Sequence, residues 1–313
     1  MALNHYKLTR IIGKTVRFIL KYLNPLNAFE SIFIRKNKNL NFQPIFIVGA
    51  PRSGTTLLYQ LMTYHYRLIY FSNISSVFIK SPILFSFLTK KLFKPYQDKK
   101  LTSNYGLMKG IWAPSEAGKI FQYFFYKKND ERIKNSLVKL SSVYKAPFIA
   151  KNLRINSQLE YIHQLFPDAI FIYMQRDIQF NAQSLLIGVL EKNTDIVGNI
   201  TKDEQRSRVL NSSKNENFEQ VVDDIDKIDS SITSFFNTPE VNGITINYDD
   251  LCSDYEKELS KIEHLFKDNK IQLERKNVLF DLYIKASKKI KLKEEDWSLL
   301  KEITKKKANE HIN

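Results

Sequence analysis

The chain has 313 residues, of which 43% are hydrophobic and 26% charged, so it can form one large core or two small ones. Its one cysteine, Cys252, excludes an internal disulfide and a metal site built from several cysteines. The net charge of +15 points to an anionic partner: a nucleic acid, an anionic membrane, or an anionic cofactor and acceptor.

Several partner and location classes lack their sequence signals. Neither a zinc-finger spacing nor the aromatic signature of an RNA-binding domain is present, so we expect no nucleic acid partner. No stretch reaches the ~18 apolar residues that a membrane span needs. The single cysteine makes a reducing, cytoplasmic location our expectation. We expect no signal peptide, because five basic residues interrupt the first apolar runs: Lys7, Arg10, Lys14, Arg17 and Lys21.

Residues 5–23 have the pattern of an amphipathic helix. The same five basic residues follow one another at spacings of three and four, and the apolar residues lie on the other side. Such a helix either lies on an anionic membrane or presents a solvated basic face while its apolar face packs on the protein. Residues 35–41 then have the composition of a linker.

The segment 44–62 predicts a strand, a loop and a helix. Ile45–Val48 is an apolar run between Pro44 and Gly49, which is typical of a strand buried on both faces of a parallel sheet. Gly49 and Gly54 follow, five residues apart, and residues 55–62 have helical periodicity. A loop of this kind directs backbone N–H groups and a helix N-terminus at one point, which suits a phosphate.

This phosphate loop, residues 49–54, differs from the loop that binds Mg-ATP. In that loop Lys and then Ser or Thr follow the second glycine, whereas here Thr55 and Thr56 take both positions. The cation is Arg52, inside the loop. The sequence therefore predicts phosphate binding without the usual Mg-ATP chemistry and without a metal.

The next part of the chain contains two candidates for an acid–base group. His65 follows the loop helix, and Glu116 lies in a loop signal beside Trp112, before the aromatic-rich segment 121–126. We interpret that segment as an aromatic wall for an acceptor. Residues 77–101 combine apolar and basic residues around two prolines, and we interpret them as helical pieces of a lid or wall.

Three further apolar segments predict strands, with helical patterns between them. The predicted strands are 147–150, 169–174 and 243–247, and the predicted helices are 157–166, 218–236 and 250–266. Strands that alternate with helices indicate a parallel sheet with right-handed crossovers. We therefore predict an α/β fold, a P-loop-type parallel β-sheet flanked by α-helices, in a single domain whose core is about residues 42–270.

Arg176 and Ser184 form a second motif. Arg176 comes just after the strand at 169–174, and Ser184 lies two helical turns further on. Because ligands of open α/β sheets bind at the carboxyl ends of strands, we expect Arg176 beside the phosphate loop. A guanidinium and a hydroxyl suit a second phosphate, and the alternative is a structural pair of Arg176 with Asp177 at a helix start.

Together these motifs resemble the family of sulfotransferases that use 3′-phosphoadenosine 5′-phosphosulfate (PAPS). The resemblance covers about residues 42–270 and consists of Pro51-Arg-Ser-Gly-Thr-Thr-Leu57, Arg176-Asp177 with Ser184, Lys151-Asn-Leu-Arg154 and Asn247-Tyr-Asp-Asp-Leu251. The third piece is similar to the Lys-Asn-Pro-Arg element of bacterial members. The resemblance implies the sulfotransferase fold. Lys151 and Arg154 are candidates to face the cofactor or the acceptor, and we place Lys151 in the cofactor site because it ends a strand.

The resemblance assigns the two phosphates of the cofactor to different residues. It implies 3′-phosphate binding by Arg176 and Ser184, and 5′-phosphate binding by Arg52, Ser53, Gly54, Thr55 and Thr56. Sulfuryl transfer builds negative charge on the bridging oxygen, so Arg52 is expected to stabilise the transition state. The Lys-rich segment 285–293 either closes over the 3′-phosphate or belongs to a solvated tail that continues to residue 313.

The base that takes the acceptor's proton is Glu116 or His65. His65 matches a position where the family often has His-Pro, but Tyr66 replaces the proline, and residues up to Ser76 lack the Glu that some members use. We place Glu116 first because it is a carboxylate among aromatic residues, at Trp112 and 121–126. The predicted function is sulfuryl transfer from PAPS to a hydroxyl of a carbohydrate or lipid-linked acceptor, with peripheral attachment to the inner face of the membrane.

Two alternatives remain open at the level of sequence. A P-loop kinase or nucleotide hydrolase would require Mg²⁺, whereas sulfuryl transfer would not. A membrane-surface binding protein that kept the fold and lost activity would bind vesicles and no nucleotide.

Overall fold

The computed structural model describes most of the chain. The described residues are 29, 30, 32, 34, 42–79, 81–84, 86, 103–104, 107–127, 130–192, 214–271, 273–277, 284, 286 and 288–310. The amphipathic helix predicted at 5–23, the linker at 35–41 and most of the lid segment at 77–101 lie outside the described residues.

Strands and helices follow one another in the order expected for an α/β protein. The strands are β1 (Ile45–Val48), β2 (Ser103–Asn104), β3 (Leu107–Met108), β4 (Ile149–Lys151), β5 (Ile170–Gln175) and β6 (Asn242–Asn247). The helices are α1 (Thr55–His65), α2 (Gly118–Lys127), α3 (Asp130–Tyr144), α4 (Leu159–Leu165), α5 (Ile178–Lys192), α6 (Lys214–Phe236), α7 (Tyr248–Ser253), α8 (Tyr255–Asp268) and α9 (Glu294–Glu310). Short 3₁₀ helices occupy Ser75–Val77 and Leu153–Ser157.

The chain forms two compact units. The first unit comprises Met1–Pro44, Thr63–Ala150 and Leu273–Val278, and the second comprises Ile45–Met62, Lys151–Gln272 and Leu279–Asn313. The phosphate loop therefore belongs to the second unit, whereas Glu116 and His65 belong to the first. The single sulfotransferase domain stays a prediction.

The second unit is built on a parallel sheet. The strand order is β4-β1-β5-β6, and Lys151 is the residue of β4 that belongs to this unit. The pair β1 and β5 is parallel with Val48 opposite Tyr173, and the pair β5 and β6 is parallel with Gln175 opposite Asn247. The carboxyl ends of these strands therefore lie along one edge of the sheet. This confirms the predicted α/β fold.

Burial explains why the central strands were easy to predict. All four residues of β1 and the first five of β5 are buried, as continuous apolar runs require in a parallel sheet. Helices α5, α6 and α9 enclose a common core that includes Ala182, Val222 and Leu300. The Lys-rich C-terminal part of the chain thus contains a packed helix and is not simply a solvated tail.

One predicted helix is interrupted in the structure. The apolar pattern at 250–266 predicted a single helix, but the structure has α7 and α8, separated by Asp254. The Asp254 carboxylate accepts a hydrogen bond from the N–H of Lys257 at 3.0 Å and so caps α8. An aspartate in this position favours a helix start, although the apolar periodicity continues across it.

In the first unit aromatic residues pack into a core of their own. The Phe71 ring lies 6.1 Å from that of Phe121, 6.5 Å from that of Phe124 and 5.1 Å from that of Phe148, measured between centroids. Phe121 and Phe124 are 6% and 4% exposed. These two residues, which the sequence suggested as part of an aromatic wall for an acceptor, are therefore core residues.

Candidate functional site

The phosphate loop depends on two glycines with unusual backbone conformations. Gly49 has φ +150° and Gly54 has φ +103°. A Cβ at position 49 would lie 2.5 Å from the carbonyl oxygen of Met174, and one at position 54 would lie 2.4 Å from Cδ2 of Tyr248. Side chains at either position would therefore meet fixed neighbours, as well as a backbone strain that glycine avoids.

Arg52 connects the loop to the second motif. Its φ of +69° is rare for a residue other than glycine. The Arg52 side chain donates from Nε to Oγ of Ser184 at 3.0 Å, and its carbonyl accepts a hydrogen bond from Nη1 of Arg176 at 2.9 Å. The structure thus brings together the loop cation and the two residues predicted to bind a second phosphate.

Arg176 is held in place by an aromatic ring as well. Its guanidinium carbon lies 4.3 Å from the ring centroid of Tyr248, the first residue of α7. The neighbouring Asp177 accepts hydrogen bonds at Oδ1 from the N–H groups of Gln179 at 2.9 Å and Phe180 at 3.2 Å. Asp177 therefore caps α5, while Arg176 is directed to the loop.

The other residues predicted to bind the 5′-phosphate lie at the end of the phosphate loop and the start of α1. Thr55 is the first residue of that helix and is buried, and Thr56 follows it, half-buried. Ser53 is 1% exposed, and its hydroxyl has no hydrogen-bond partner among the described residues. A buried hydroxyl beside the positive end of a helix suits an anionic ligand.

Lys151 and the 3₁₀ helix after it belong to the same unit as the phosphate loop. Lys151 ends β4 and is only 5% exposed. In the following 3₁₀ helix, Asn156 donates from Nδ2 to the carbonyl oxygen of Gly49 at 2.8 Å and accepts from the N–H of Gly49 at 3.3 Å. The amide of Asn156 therefore contacts both backbone polar groups at the first residue of the phosphate loop.

A buried carboxylate also influences this region. Burial and, to a lesser extent, the negative charge of Asp226 raise the pKa of Asp229 to about 6, although the nearby Tyr173 hydroxyl and Ala50 N–H lower it in part. Asp229 lies on α6, and Ala50 belongs to the phosphate loop. The charge of this side chain thus changes in the pH range where activity would be measured.

The Lys-rich segment 288–293 forms hydrogen bonds with Gln183, a buried residue of α5. Gln183 is 4% exposed and accepts at Oε1 from the N–H groups of Lys291 at 2.7 Å and Leu292 at 3.3 Å. Its Nε2 donates to the carbonyl oxygen of Lys289 at 3.1 Å. Lys288 forms an ion pair with Asp249 at 3.1 Å. We call residues 288–293 the C-terminal strap.

Both base candidates belong to the first unit. His65 ends α1 and is 3% exposed, its ring lies against those of Tyr64 and Tyr66, and its carbonyl accepts from the N–H of Lys276 at 2.7 Å. Glu116 is half-buried in the loop before α2. The surroundings of His65 are those of a packed helix end, and the base stays a prediction between these two residues.

Sequence reasoning missed Asn156 and Gln183 and gave no role to Tyr248. The asparagine and the glutamine each contact backbone more than 100 residues away, a relation that no local pattern contains. Tyr248 lies in the segment Asn247–Leu251, which was part of the resemblance, so its motif was the available signal.

The described residues contain neither a metal-binding cluster nor a membrane-spanning helix. Within them no group of three or more His, Cys, Asp or Glu side chains is arranged to hold a metal ion. Among the helices in the same part of the chain, none is both long and apolar enough to span a membrane.

Comparison with known proteins gives one family and several solved structures. A sequence model of the Sulfotransferase family matches residues 44–267. No curated protein sequence matches the chain. Sulfotransferase STF9 from Mycobacterium avium is similar in structure, with a TM-score of 0.52, 13% identity, and 88% of this chain and 71% of that chain covered.

Two other solved structures were also found. Sulfotransferase STF1 from Mycobacterium tuberculosis H37Rv gives a TM-score of 0.44 at 10% identity, covering 96% of this chain and 79% of its own. The sulfotransferase domain from the curacin biosynthetic pathway gives a TM-score of 0.40 at 17% identity, covering 73% of this chain and 75% of its own. At 13% identity, the similarity to STF9 shows the fold alone.

Proposed function

Because the chain belongs to the Sulfotransferase family, we propose that it transfers a sulfuryl group from PAPS to a hydroxyl acceptor. The family supports sulfuryl transfer in general. The donor and the acceptor are our proposals and rest on the residues of the second unit.

One observation carries the choice of donor. Arg52, predicted to contact the 5′-phosphosulfate, donates to Ser184, and Arg176 donates to the backbone of Arg52. Two cations and a hydroxyl are thus joined around one loop, which suits a ligand with two separate phosphate groups. PAPS has this property, whereas AMP has one phosphate group and ATP carries its phosphates on a single chain.

The loop residues have distinct roles in the proposed reaction. Backbone N–H groups of the phosphate loop and the N-terminus of α1 hold the 5′-phosphate, and Arg176 and Ser184 hold the 3′-phosphate. The acceptor oxygen forms a bond to sulfur while the bond from sulfur to the bridging oxygen breaks. Arg52 stabilises the charge that grows on that oxygen, and Glu116 or His65 takes the acceptor's proton.

We propose a hydroxyl on a carbohydrate or lipid-linked molecule as the acceptor. The support is the basic charge of the chain, which would keep the enzyme close to an anionic membrane or acceptor. Because of this charge, we also propose that the enzyme works in the cytoplasm at the inner face of the membrane.

Nucleotide binding tests the donor directly. We expect 3′,5′-bisphosphoadenosine (PAP), the product left by PAPS, to raise the melting temperature without Mg²⁺, because a ligand at 100-fold its Kd stabilises by about 2.7 kcal/mol. Arg176→Ala should abolish the shift. Arg67→Ala, which removes an exposed arginine paired with Glu274 at 2.9 Å, is the matched control and should keep it.

Other outcomes would replace the proposal. If PAP has no effect and ATP stabilises only with Mg²⁺, the protein is a P-loop kinase or hydrolase. If none of PAP, AMP and ATP binds, the protein is a binding protein on a sulfotransferase fold.

A further inference from the structure

Asn156 forms a two-point contact with the first residue of the phosphate loop. Its Nδ2 lies 2.8 Å from the carbonyl oxygen of Gly49, and its Oδ1 lies 3.3 Å from the Gly49 nitrogen. We infer that Asn156 is a positioning residue, which fixes the phosphate loop in the conformation that binds a 5′-phosphate. This inference rests on the proposed function.

The contact restrains Gly49, a residue of the loop with high conformational freedom. Gly49, with φ +150°, uses a conformation that few residues adopt, and glycine also has many other conformations available. An amide that bonds both the N–H and the C=O of one residue restricts rotation on either side of its Cα. The N–H groups that follow then point in one direction before the ligand binds, which reduces the ordering cost of binding.

Asn156 is itself held by the short 3₁₀ helix Leu153–Ser157. Asn152 caps this helix by accepting a hydrogen bond at Oδ1 from the N–H of Arg154 at 2.9 Å. Ile155 is fully buried, and the Ser157 hydroxyl donates to the carbonyl oxygen of Arg154 at 3.1 Å. The segment Lys151–Arg154 therefore has a second role, which is to aim Asn156 at the loop.

The Asn156 contact predicts an effect on one phosphate and not on the other. Asn156 touches the loop predicted to hold the 5′-phosphate, whereas Arg176 and Ser184 are predicted to hold the 3′-phosphate. A general loss of structure would weaken all nucleotides alike. The affinities for PAP, 5′-AMP and 3′-AMP therefore separate a positioning role from a structural one.

The experiment measures these three affinities by calorimetry in the full chain. In Asn156→Ala we expect binding of PAP and 5′-AMP to weaken by about five- to tenfold, because one or two modest hydrogen bonds are lost. Binding of 3′-AMP should change less than about twofold. Asn156→Ser offers a second variant if the alanine protein does not fold. Asn237→Ala, at an exposed asparagine of the same unit, is the control and should bind as the wild type does.

The outcomes distinguish this inference from the proposed function. Equal losses for all three nucleotides, or an unchanged affinity for PAP, would overturn the positioning role while the proposed function stands. If the wild-type protein binds none of them, the proposed function fails and the inference fails with it.

Discussion

Glu30 is a buried carboxylate in the first unit whose charge has several partners. Its Oε2 accepts from the N–H groups of Ile83 and Leu84, both at 2.9 Å, and its Oε1 accepts from Nη2 of Arg132 at 3.2 Å. Burial nevertheless raises the pKa of Glu30 to about 7, because these partners offset only part of the desolvation. The folded chain therefore binds this proton more tightly than the unfolded chain does.

This shift predicts how stability depends on pH. An acid whose pKa rises from 4.5 to about 7 on folding stabilises fully below pH 4.5, and this contribution is lost as pH rises to about 7. The change amounts to about 3 kcal/mol at most. The side chain in Glu30→Gln resembles the protonated carboxyl, so this variant should lack this contribution to the dependence of stability on pH. Urea unfolding at about pH 5 and pH 7.5 measures this, with Arg67→Ala as a control.

The comparison between variant and wild type isolates Glu30. Asp229, whose pKa burial raises to about 6, acts in the same direction but is present in both proteins. The same loss of unfolding free energy in Glu30→Gln and wild type between the two pH values would contradict the prediction.

At the scale of elements, the C-terminal strap depends on one buried side chain of α5. Gln183 forms three hydrogen bonds to the backbone of the strap, and it precedes Ser184, the partner of Arg52. Leucine has a similar size but leaves these backbone groups unpaired. We expect Gln183→Leu to lower the free energy of unfolding by about 2–3 kcal/mol.

Urea unfolding measures this loss, and the control is a glutamine outside the strap contact. Gln164→Leu, at an exposed position of α4, makes the same chemical change and should alter stability by less than about 0.5 kcal/mol. Equal stability of Gln183→Leu and wild type would show that the three hydrogen bonds of Gln183 do not stabilise the fold.

The elements also differ in how well they could be predicted from the sequence. Strands β1 and β5 could be predicted because their burial on both faces leaves an apolar run, and the loop between β1 and α1 could be predicted because two glycines are required by their neighbours. The end of one helix at Asp254 was hidden by apolar periodicity that continues beyond it.

Other features could not be predicted because they depend on contacts between segments that are distant in sequence. Asn156 and Gln183 gain their roles from backbone that folding brings to them, and their own neighbours in sequence do not indicate it. The packed helix α9 was missed because its lysines dominate the composition, although Trp297 and Leu300 bury one face. Motifs that bind a ligand were thus easier to predict than the residues that support them.

At the scale of the whole molecule, the start of the chain carries basic residues without any acidic ones. The first 29 residues contain five Lys and Arg and no Asp or Glu, within a net charge of +15. The first carboxylate is Glu30, which is fully buried and paired with Arg132. Phe29 and Ile32, on either side of it, are 64% and 66% exposed. Cations together with exposed apolar side chains suit an anionic membrane surface better than a nucleic acid.

Vesicle binding tests this last prediction. The full chain should co-sediment with vesicles that contain phosphatidylserine, less so as salt increases, and not with neutral phosphatidylcholine vesicles. Replacing Phe29 and Ile32 together by serine should weaken binding by about tenfold or more, because each side chain contributes about 1 kcal/mol or more when buried in lipid. Ile111→Ser, at an isoleucine that is 53% exposed, is the matched control. Salt-sensitive binding to RNA with no preference among vesicles would instead mean that the charge attracts polyanions in general, and the membrane proposal would fall.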